Sequence, residues 1–357
     1  MAVKTIRLEQ DRDTPVTQQQ RIKFGYRYAY ARSADSRANN DPGQDFLIIR
    51  EDNERLAFAL CDGVSQSFYG DLAARLLGEA LIDWLWEKVP TDPITLSSAL
   101  KVFLDSIVES IGKQVEAYPI PANLSPMVRE VLEQKRTLGS ESTFVAGRLD
   151  LIHGRLDLAW MGDSRLRIWS RKGEITAYLG ETFHTNERWS SRRGCIGSLH
   201  TFTLPSKSLH YLMAYSDGLA ILDKMLSRHF RAASIEAIIA DSLSRPESDD
   251  ISFLEIWLGN QPPSEHPPLD PPREVRLTLE EGQAILRWRP VIGAIRYEIC
   301  LENGPSFICY APKTSFKLPL EVLTPKTRQV RIRAWDEEPG EWGAAVSLPE
   351  KLLPTRL

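Results

Sequence analysis

Two apolar runs in this chain end on the same dipeptide, "RLAFALCDG" at 55–63 and "HYLMAYSDG" at 210–218. Runs this short, crowded with aliphatic and aromatic residues and closed by turn residues, read as buried strands. An Asp-Gly pair taken alone is among the commonest turn signals and needs no chemistry behind it. Its recurrence is the constraint: the fold must place an acid at the end of a buried strand twice.

The elements around these runs decide the fold class. "DFLIIR" (45–50) and "RLAFALC" (55–61) form a hairpin across the polar turn Glu51 to Glu54. Leu72, Leu76, Leu77, Leu81 and Leu85 then share one helical face, and Leu100, Phe103, Leu104, Ile107, Ile111 and Val115 share the face of a second long helix. Core packing accounts for both stripes. A third, shorter helix starts at Ser125-Pro126, a capping residue followed by proline in the first turn. Beyond it "STFVAGRL", "RLDLAWM", "RLRIWS", "EITAYL", "HYLMAYS" and "ISFLEIWL" read as strands, with one helix, "SIEAIIADSL", before the last. This order predicts an α+β fold of mainly antiparallel sheets covered by helices, and a doubly wound parallel sheet fits poorly.

Prolines displace the periodic apolar residues in "GNQPPSEHPPLDPP" (259–272), a semi-rigid linker between a large first unit and a small second domain. A chain of 357 residues, 42% hydrophobic and 26% charged, is long enough for both. The formal net charge of −4 argues against a general nucleic-acid binder. The start, "MAVKTIRLEQDRDTP", lacks the apolar core of a signal peptide, and no stretch approaches the roughly 18 apolar residues of a membrane span. The expectation is a cytoplasmic protein with no membrane partner. Cys61, Cys195, Cys300 and Cys309 form no CxxC pair and read as reduced thiols.

Mapped onto the predicted strands, the acids fall at their ends. Asp45 stands at the entrance of the first strand of the hairpin and Asp62 at the exit of the second. Asp163 follows "RLDLAWM", Asp217 follows "HYLMAYS", and Asp249-Asp250 precede the closing strand. In an antiparallel sheet alternate entrances and exits lie along one rim, so carboxylates far apart in sequence can converge there. Converging carboxylates repel one another unless a cation sits between them. All-oxygen ligands select hard ions, Mg²⁺ or Mn²⁺, over Zn²⁺. Paired hard ions clamp a phosphoryl group and supply a hydroxide nucleophile, which points to phosphate ester hydrolysis.

At these residues the chain resembles the metal-dependent protein serine/threonine phosphatases of the PP2C type. The ordered blocks "QDFLII", "FALCDGVS", "ESTFVAG", "AWMGDSRLRIW", "AYSDGLAIL" and "SDDISFLEI" carry the resemblance over residues 22–258. It implies a PP2C-like α/β-β/α sandwich and two Mn²⁺ or Mg²⁺ ions. Asp45 would hold one ion, Asp62 would bridge both, and the Gly63 carbonyl, Asp217 and Asp249 would complete the site. Asp163 matches a residue that in some bacterial members helps hold a third, weaker ion. It also implies a phosphorylated protein substrate and a serine/threonine kinase as physiological counterpart. On this reading residues 1–21 are an N-terminal extension, 22–258 the phosphatase domain, 259–270 the linker, 271–349 the second domain and 350–357 a tail.

The sequence departs from that pattern in three places. Val64 stands where many members carry a histidine, a candidate proton donor to the leaving group. Gln44 replaces the usual Glu before the first Asp. Asn40 stands where a phosphate-contacting Arg is usual, which leaves Arg37, ahead of Arg32, as the candidate for that role. None of the four cysteines has an Arg six positions on, so a cysteine phosphatase is excluded, and no G-x-x-x-x-G-K-[ST] loop is present. His184 and His200 read as surface residues of the segment 180–200, where the family places a flap. Arg188, Arg192 and Arg193 in that segment suit phosphorylated peptides, with a solvated charge run as the plainer reading.

The second domain resembles a fibronectin type III module, with Trp288 as its core tryptophan and a spacer or docking role. Trp335 and Trp342 near its final turn read as core residues or as an exposed contact. The reading is therefore a cytoplasmic signalling phosphatase. Its rival is a pseudophosphatase that binds phosphoproteins without turnover, and the retained acids weigh against that.

Overall fold

Three strands precede the expected hairpin, β1 (Lys4–Arg7), β2 (Thr14–Gln20) and β3 (Phe24–Ala31), followed by the short helix α1 (Ala34–Asn39). The hairpin itself is β4 (Phe46–Glu51) and β5 (Arg55–Gly63), in register from Phe46 opposite Cys61 to Glu51 opposite Leu56. Helices α2 (Gly70–Glu87), α3 (Leu96–Ser106), α4 (Val108–Ala117) and α5 (Pro126–Leu138) lead to β6 (Glu141–Asp150), β7 (Arg155–Met161), β8 (Arg165–Ser170) and the two-residue β9 (Gly173–Glu174). Then come β10 (Arg188–Ser190), β11 (Gly194–Ile196), β12 (His200–Pro205), β13 (Tyr211–Tyr215), α6 (Ala232–Leu243) and β14 (Ile251–Leu258). This is a computed structural model that describes residues 3–171, 173–180, 183–224, 232–245, 247–259, 269, 271–280, 283–291, 294–322, 327, 329–335 and 339–349. The chain divides into two compact units, residues 1–224 with 231–263 and residues 264–357 with 225–230.

In the first unit all strand pairs are antiparallel and make two sheets, as the expected α+β class requires. One sheet runs β1-β4-β5-β6, with β7 and then β12 beside β6 and the β10–β11 hairpin beside its first residues. The other runs β2-β3-β14-β13-β8-β9. Period-two alternation divides the side chains of the first sheet between two cores. Ala57, Ala59 and Cys61 of β5 face α2, whose leucine stripe packs with α3 and α4 on that side. Leu56, Phe58 and Leu60 face the second sheet, where Leu212, Ala214, Leu254 and Ile256 meet them.

Sequence periodicity missed three features of this unit. The long second helix is two, α3 ending at Ser106 and α4 starting at Val108, with the single turn residue Ile107 between them while the apolar face carries through. "EITAYL" is not a strand beyond Glu174: Thr176 Oγ1 accepts the Ile168 N–H at 3.0 Å and a 3₁₀ turn, Thr176–Leu179, follows. Residues 1–21 are not outside the sheets, since β1 pairs with β4 and β2 with β3. Both are edge strands, β1 largely exposed and β2 half-buried, and polar "TPVTQQQ" carries little of the alternation that marks an inner strand.

The second unit also holds two antiparallel sheets around one core. A three-stranded sheet is made of β15 (Arg276–Glu280), β16 (Gln283–Arg287) and β19 (Ser315–Leu318). The other comprises β17 (Arg296–Leu301), β18 (Ser306–Tyr310), β20 (Gln329–Trp335), β21 (Pro339–Trp342) and β22 (Val346–Ser347). Trp288 is buried there, edge-on to Tyr297 at 5.0 Å. Trp335 and Trp342 lie outside that core and carry arginines instead, with Arg296 over Trp335 at 4.4 Å and Arg333 over Trp342 at 4.3 Å. Most of the expected linker and the expected tail fall outside the described residues. All four cysteines are free.

The two-core arrangement has a direct consequence. Leu60→Ala, at a fully buried position between the sheets, should cost about 2–5 kcal/mol, whereas Ile94→Ala, 90% exposed, should stay within about 0.5 kcal/mol. Urea unfolding of the two variants checks this, and a small loss at Leu60 would contradict it.

Candidate active site

The alternation that builds the inter-sheet core also delivers the acids. Asp62 continues the Leu56–Phe58–Leu60 face of β5, and Asp45 continues the Leu47–Ile49 face of β4, so both lie between the sheets at one end. Asp250 extends the Leu254–Ile256 face of β14 in the same way, with Asp249 just ahead of it. Asp217 follows β13, and Asp163 lies where the chain crosses from β7 to β8, that is from one sheet to the other.

Asp45, Asp62, Asp163, Asp217 and Asp249 lie near enough to one another for mutual repulsion. Burial holds the Asp62 carboxyl well above the usual carboxylate range, and Asp45, Asp217, Asp249 and Asp163 add repulsion. Burial likewise raises Asp45, followed by repulsion from Asp250, with a hydrogen bond from Ser216 in opposition. Asp217 is pushed up to about 6 by burial, then by Asp249 and Asp163, while Arg165 opposes. Asp249, at the exposed rim, is raised by partial burial of its carboxyl and then by Asp250 and Asp163, with the hydrogen bond from the Asp250 N–H in opposition. Among the described residues, Asp45 Oδ2 is buried without a hydrogen-bond partner.

Among the described residues, no three His, Cys, Asp or Glu side chains are gathered closely enough to hold an ion as they stand. What the arrangement offers is an all-carboxylate neighbourhood with an unsatisfied buried oxygen, the donor chemistry of a hard divalent cation. The acids open into a cleft of about 1120 Å³ whose lining includes Asp62, Gly63, Val64, Asp163 and Asp217.

Gly63 has a packing reason of its own. A Cβ there would stand 2.3 Å from the backbone of Gly70, so the glycine lets the start of α2 close against the end of β5. Asp250, the second acid of the pair at the entrance of the closing strand, is a structural junction. Its Oδ1 accepts the Ser33 N–H and its Oδ2 the Gln44 N–H, both at 2.6 Å. That joins the end of β3 to the start of β4, and only the burial of the acid beside a strand entrance hinted at it.

Arg37 is not brought to the acids. It sits on α1, ion-paired with Asp13 at 2.9 Å, and lines a separate groove with β2, β3 and α6. The α1 turn, capped by Ser33 Oγ, carries it aside. Arg32 also turns to Asp13. Arg188, Arg192 and Arg193 do line the cleft, and Arg188 Nε and Arg193 Nη2 donate to Glu141 at 2.5 and 2.8 Å. Sequence reading missed Glu141 because the first residue of a strand looks like a solvated end. His200 stacks on Trp160 at 5.5 Å and bonds Glu187 at 2.9 Å, a packed residue rather than a catalytic one.

A sequence profile described as "Protein phosphatase 2C" matches residues 32–258. Curated proteins give no significant match. Similar solved structures include the serine/threonine phosphatase Stp1 from Staphylococcus aureus, 14% identical over 68% of this chain and 95% of that one, TM-score 0.45. Another is serine-threonine phosphatase 2C from Toxoplasma gondii, 13% identical over 71% and 99%, TM-score 0.41. A third is the catalytic domain of the serine threonine protein phosphatase PstP in complex with two manganese ions, 17% identical over 68% and 99%, TM-score 0.41.

The two kinds of acid should separate in stability. In chelator, Asp217→Asn removes a charge that burial penalises and should raise the melting temperature by a few degrees. Asp250→Ala strips the acceptor from two backbone N–H groups and should cost about 2–4 kcal/mol. Thermal unfolding of both variants tests the division, and equal destabilisation would contradict it.

Proposed function

The chain belongs to the protein phosphatase 2C family and is thus a protein serine/threonine phosphatase, and from that premise we propose that it hydrolyses phosphoserine and phosphothreonine in proteins with a pair of divalent ions at the acidic rim. The observation that carries the proposal is the convergence of Asp45, Asp62, Asp163, Asp217 and Asp249 from two sheets, with mutual repulsion and an unpartnered Asp45 oxygen. Family members use Mn²⁺ or Mg²⁺, and the residues here fit such ions in donor type and charge. Asp45, Asp62, the Gly63 carbonyl, Asp217 and Asp249 would hold two of them, with Asp163 toward a third. When bound, such ions acidify water for attack on phosphorus and neutralise the phosphoryl oxygens.

The chain's own residues supply the rest. The strand ends place the acids at one rim before substrate arrives, and their side chains would draw together on the ions, since no three of them stand close enough as they are among the described residues. Val64 lines the cleft without a titratable group, so the proton for a serine leaving group comes from elsewhere than this position. A phosphoprotein-binding scaffold without turnover would be expected to lose acids at these places, and all five remain aspartate. The second unit fits a fibronectin type III-like spacer or docking module, and a serine/threonine kinase is the natural counterpart in a cytoplasmic signalling pair.

The purified chain should hydrolyse a phosphoserine peptide with Mn²⁺ or Mg²⁺ and stop in excess chelator. Asp62→Asn should lower kcat about 100-fold or more, the scale of losing a main electrostatic stabiliser, and Asp163→Asn should do less. Turnover by Asp62→Asn near the wild-type rate would overturn the assignment.

A further inference from the structure

The cleft that holds Asp62, Asp163 and Asp217 also carries four cations, Lys135, Arg188, Arg192 and Arg193. They come from two places: Lys135 from the last turn of α5, the arginines from β10 and the turn that follows it. Glu141, only 7% exposed, takes one guanidinium on each oxygen, Arg188 on Oε2 and Arg193 on Oε1, and so braces both against the cleft wall. Its carboxyl is held below the usual range by these two partners against the opposing effect of burial.

The brace does not exhaust the positive charge. Glu141 and Glu116 pair with the three arginines, and the other carboxylates that line the cleft, Asp62, Asp163 and Asp217, belong to the acidic rim. Among the described residues Lys135 bonds only the Ser65 carbonyl, at 3.2 Å, and has no carboxylate partner. Arg193 is 57% exposed, and its Nε and Nη1 make no hydrogen bond among the described residues. A guanidinium fixed on one edge and open on the other loses little entropy when an anion meets the open edge.

We propose that Lys135 and Arg193, with Arg188 braced by Glu141, form an anion subsite beside the acidic rim. The enzyme therefore selects phosphopeptides that carry a second anionic side chain, a carboxylate or a second phosphate, near the scissile phosphoester. This rests on the phosphatase reading above. Glu141 acts as a positioning residue for the two arginines.

Three phosphoserine peptides that differ only in the flank test it, one neutral, one with glutamates and one with a second phosphoserine, alongside an aryl phosphate as control. Wild type should give a kcat/KM for the anionic peptides about fivefold or more above the neutral one, mainly through KM, on the scale of one exposed charge-assisted contact. Preference for both anionic peptides identifies a general anion subsite, and preference for the doubly phosphorylated one alone identifies a second phosphate. The double variant Lys135→Ala with Arg193→Ala should bring that ratio to about one, and Arg193→Lys should keep part of it. Aryl phosphate turnover with no discrimination among the peptides would overturn the subsite alone. An equal loss on all three peptides in the double variant would also overturn it, since the residues would then be serving the scissile phosphoryl group. No turnover of any substrate by wild type would instead sink the phosphatase reading, and the subsite with it.

Discussion

One buried carboxylate holds the two sheets in register at the end where the acids meet. Asp250, at the entrance of β14 in the second sheet, accepts the Ser33 N–H after β3 and the Gln44 N–H before β4. The chain between those two residues is the crossing from one sheet to the other, so the junction sets where β4 begins and hence where Asp45 stands. The surrounding glycines follow from the same crowding: a Cβ on Gly43 would meet the Tyr30 hydroxyl, and one on Gly218 would meet the Asp250 carbonyl. Loss of this junction would leave two backbone donors buried without an acceptor.

The rim acids are the reverse case. Like charges collected in a buried place raise one another's pKa and oppose folding, so the strands that carry them must be held by other means. Phe58, Leu60, Val145, Leu158 and Trp160 supply that hold from the inter-sheet core, and the helices cover the other face of the same strands. Asp45 and Asp62 are thus charged endings to apolar rows, and their convergence depends on burial a few residues further in.

Much of this was legible in the sequence because strands with one partner sheet carry their function in their endings. Asp45, Asp62, Asp163, Asp217 and Asp249 all lie where the strand map put them, at one rim. The edge strands β1 and β2 were not legible, since strands with no buried face keep no apolar alternation, and the break between α3 and α4 at Ile107 was hidden by an unbroken apolar stripe. Arg37 misled because spacing from Asp45 says nothing of the short helix that turns it to Asp13. The junction role of Asp250 and the bracing role of Glu141 are not legible for a common reason: a buried polar residue whose partners are backbone N–H groups or residues distant in sequence has no local pattern. Trp335 and Trp342 lie outside the second core with arginines over their faces, a pairing that composition does not reveal.

The central claim is that two sheets deliver carboxylates to one rim where divalent ions bind. Calorimetric titration of the purified full chain with Mn²⁺ tests this most directly. The account predicts two tight equivalents per chain, with binding largely lost in Asp62→Asn. Absence of stoichiometric binding, or binding unchanged by that substitution, would contradict it.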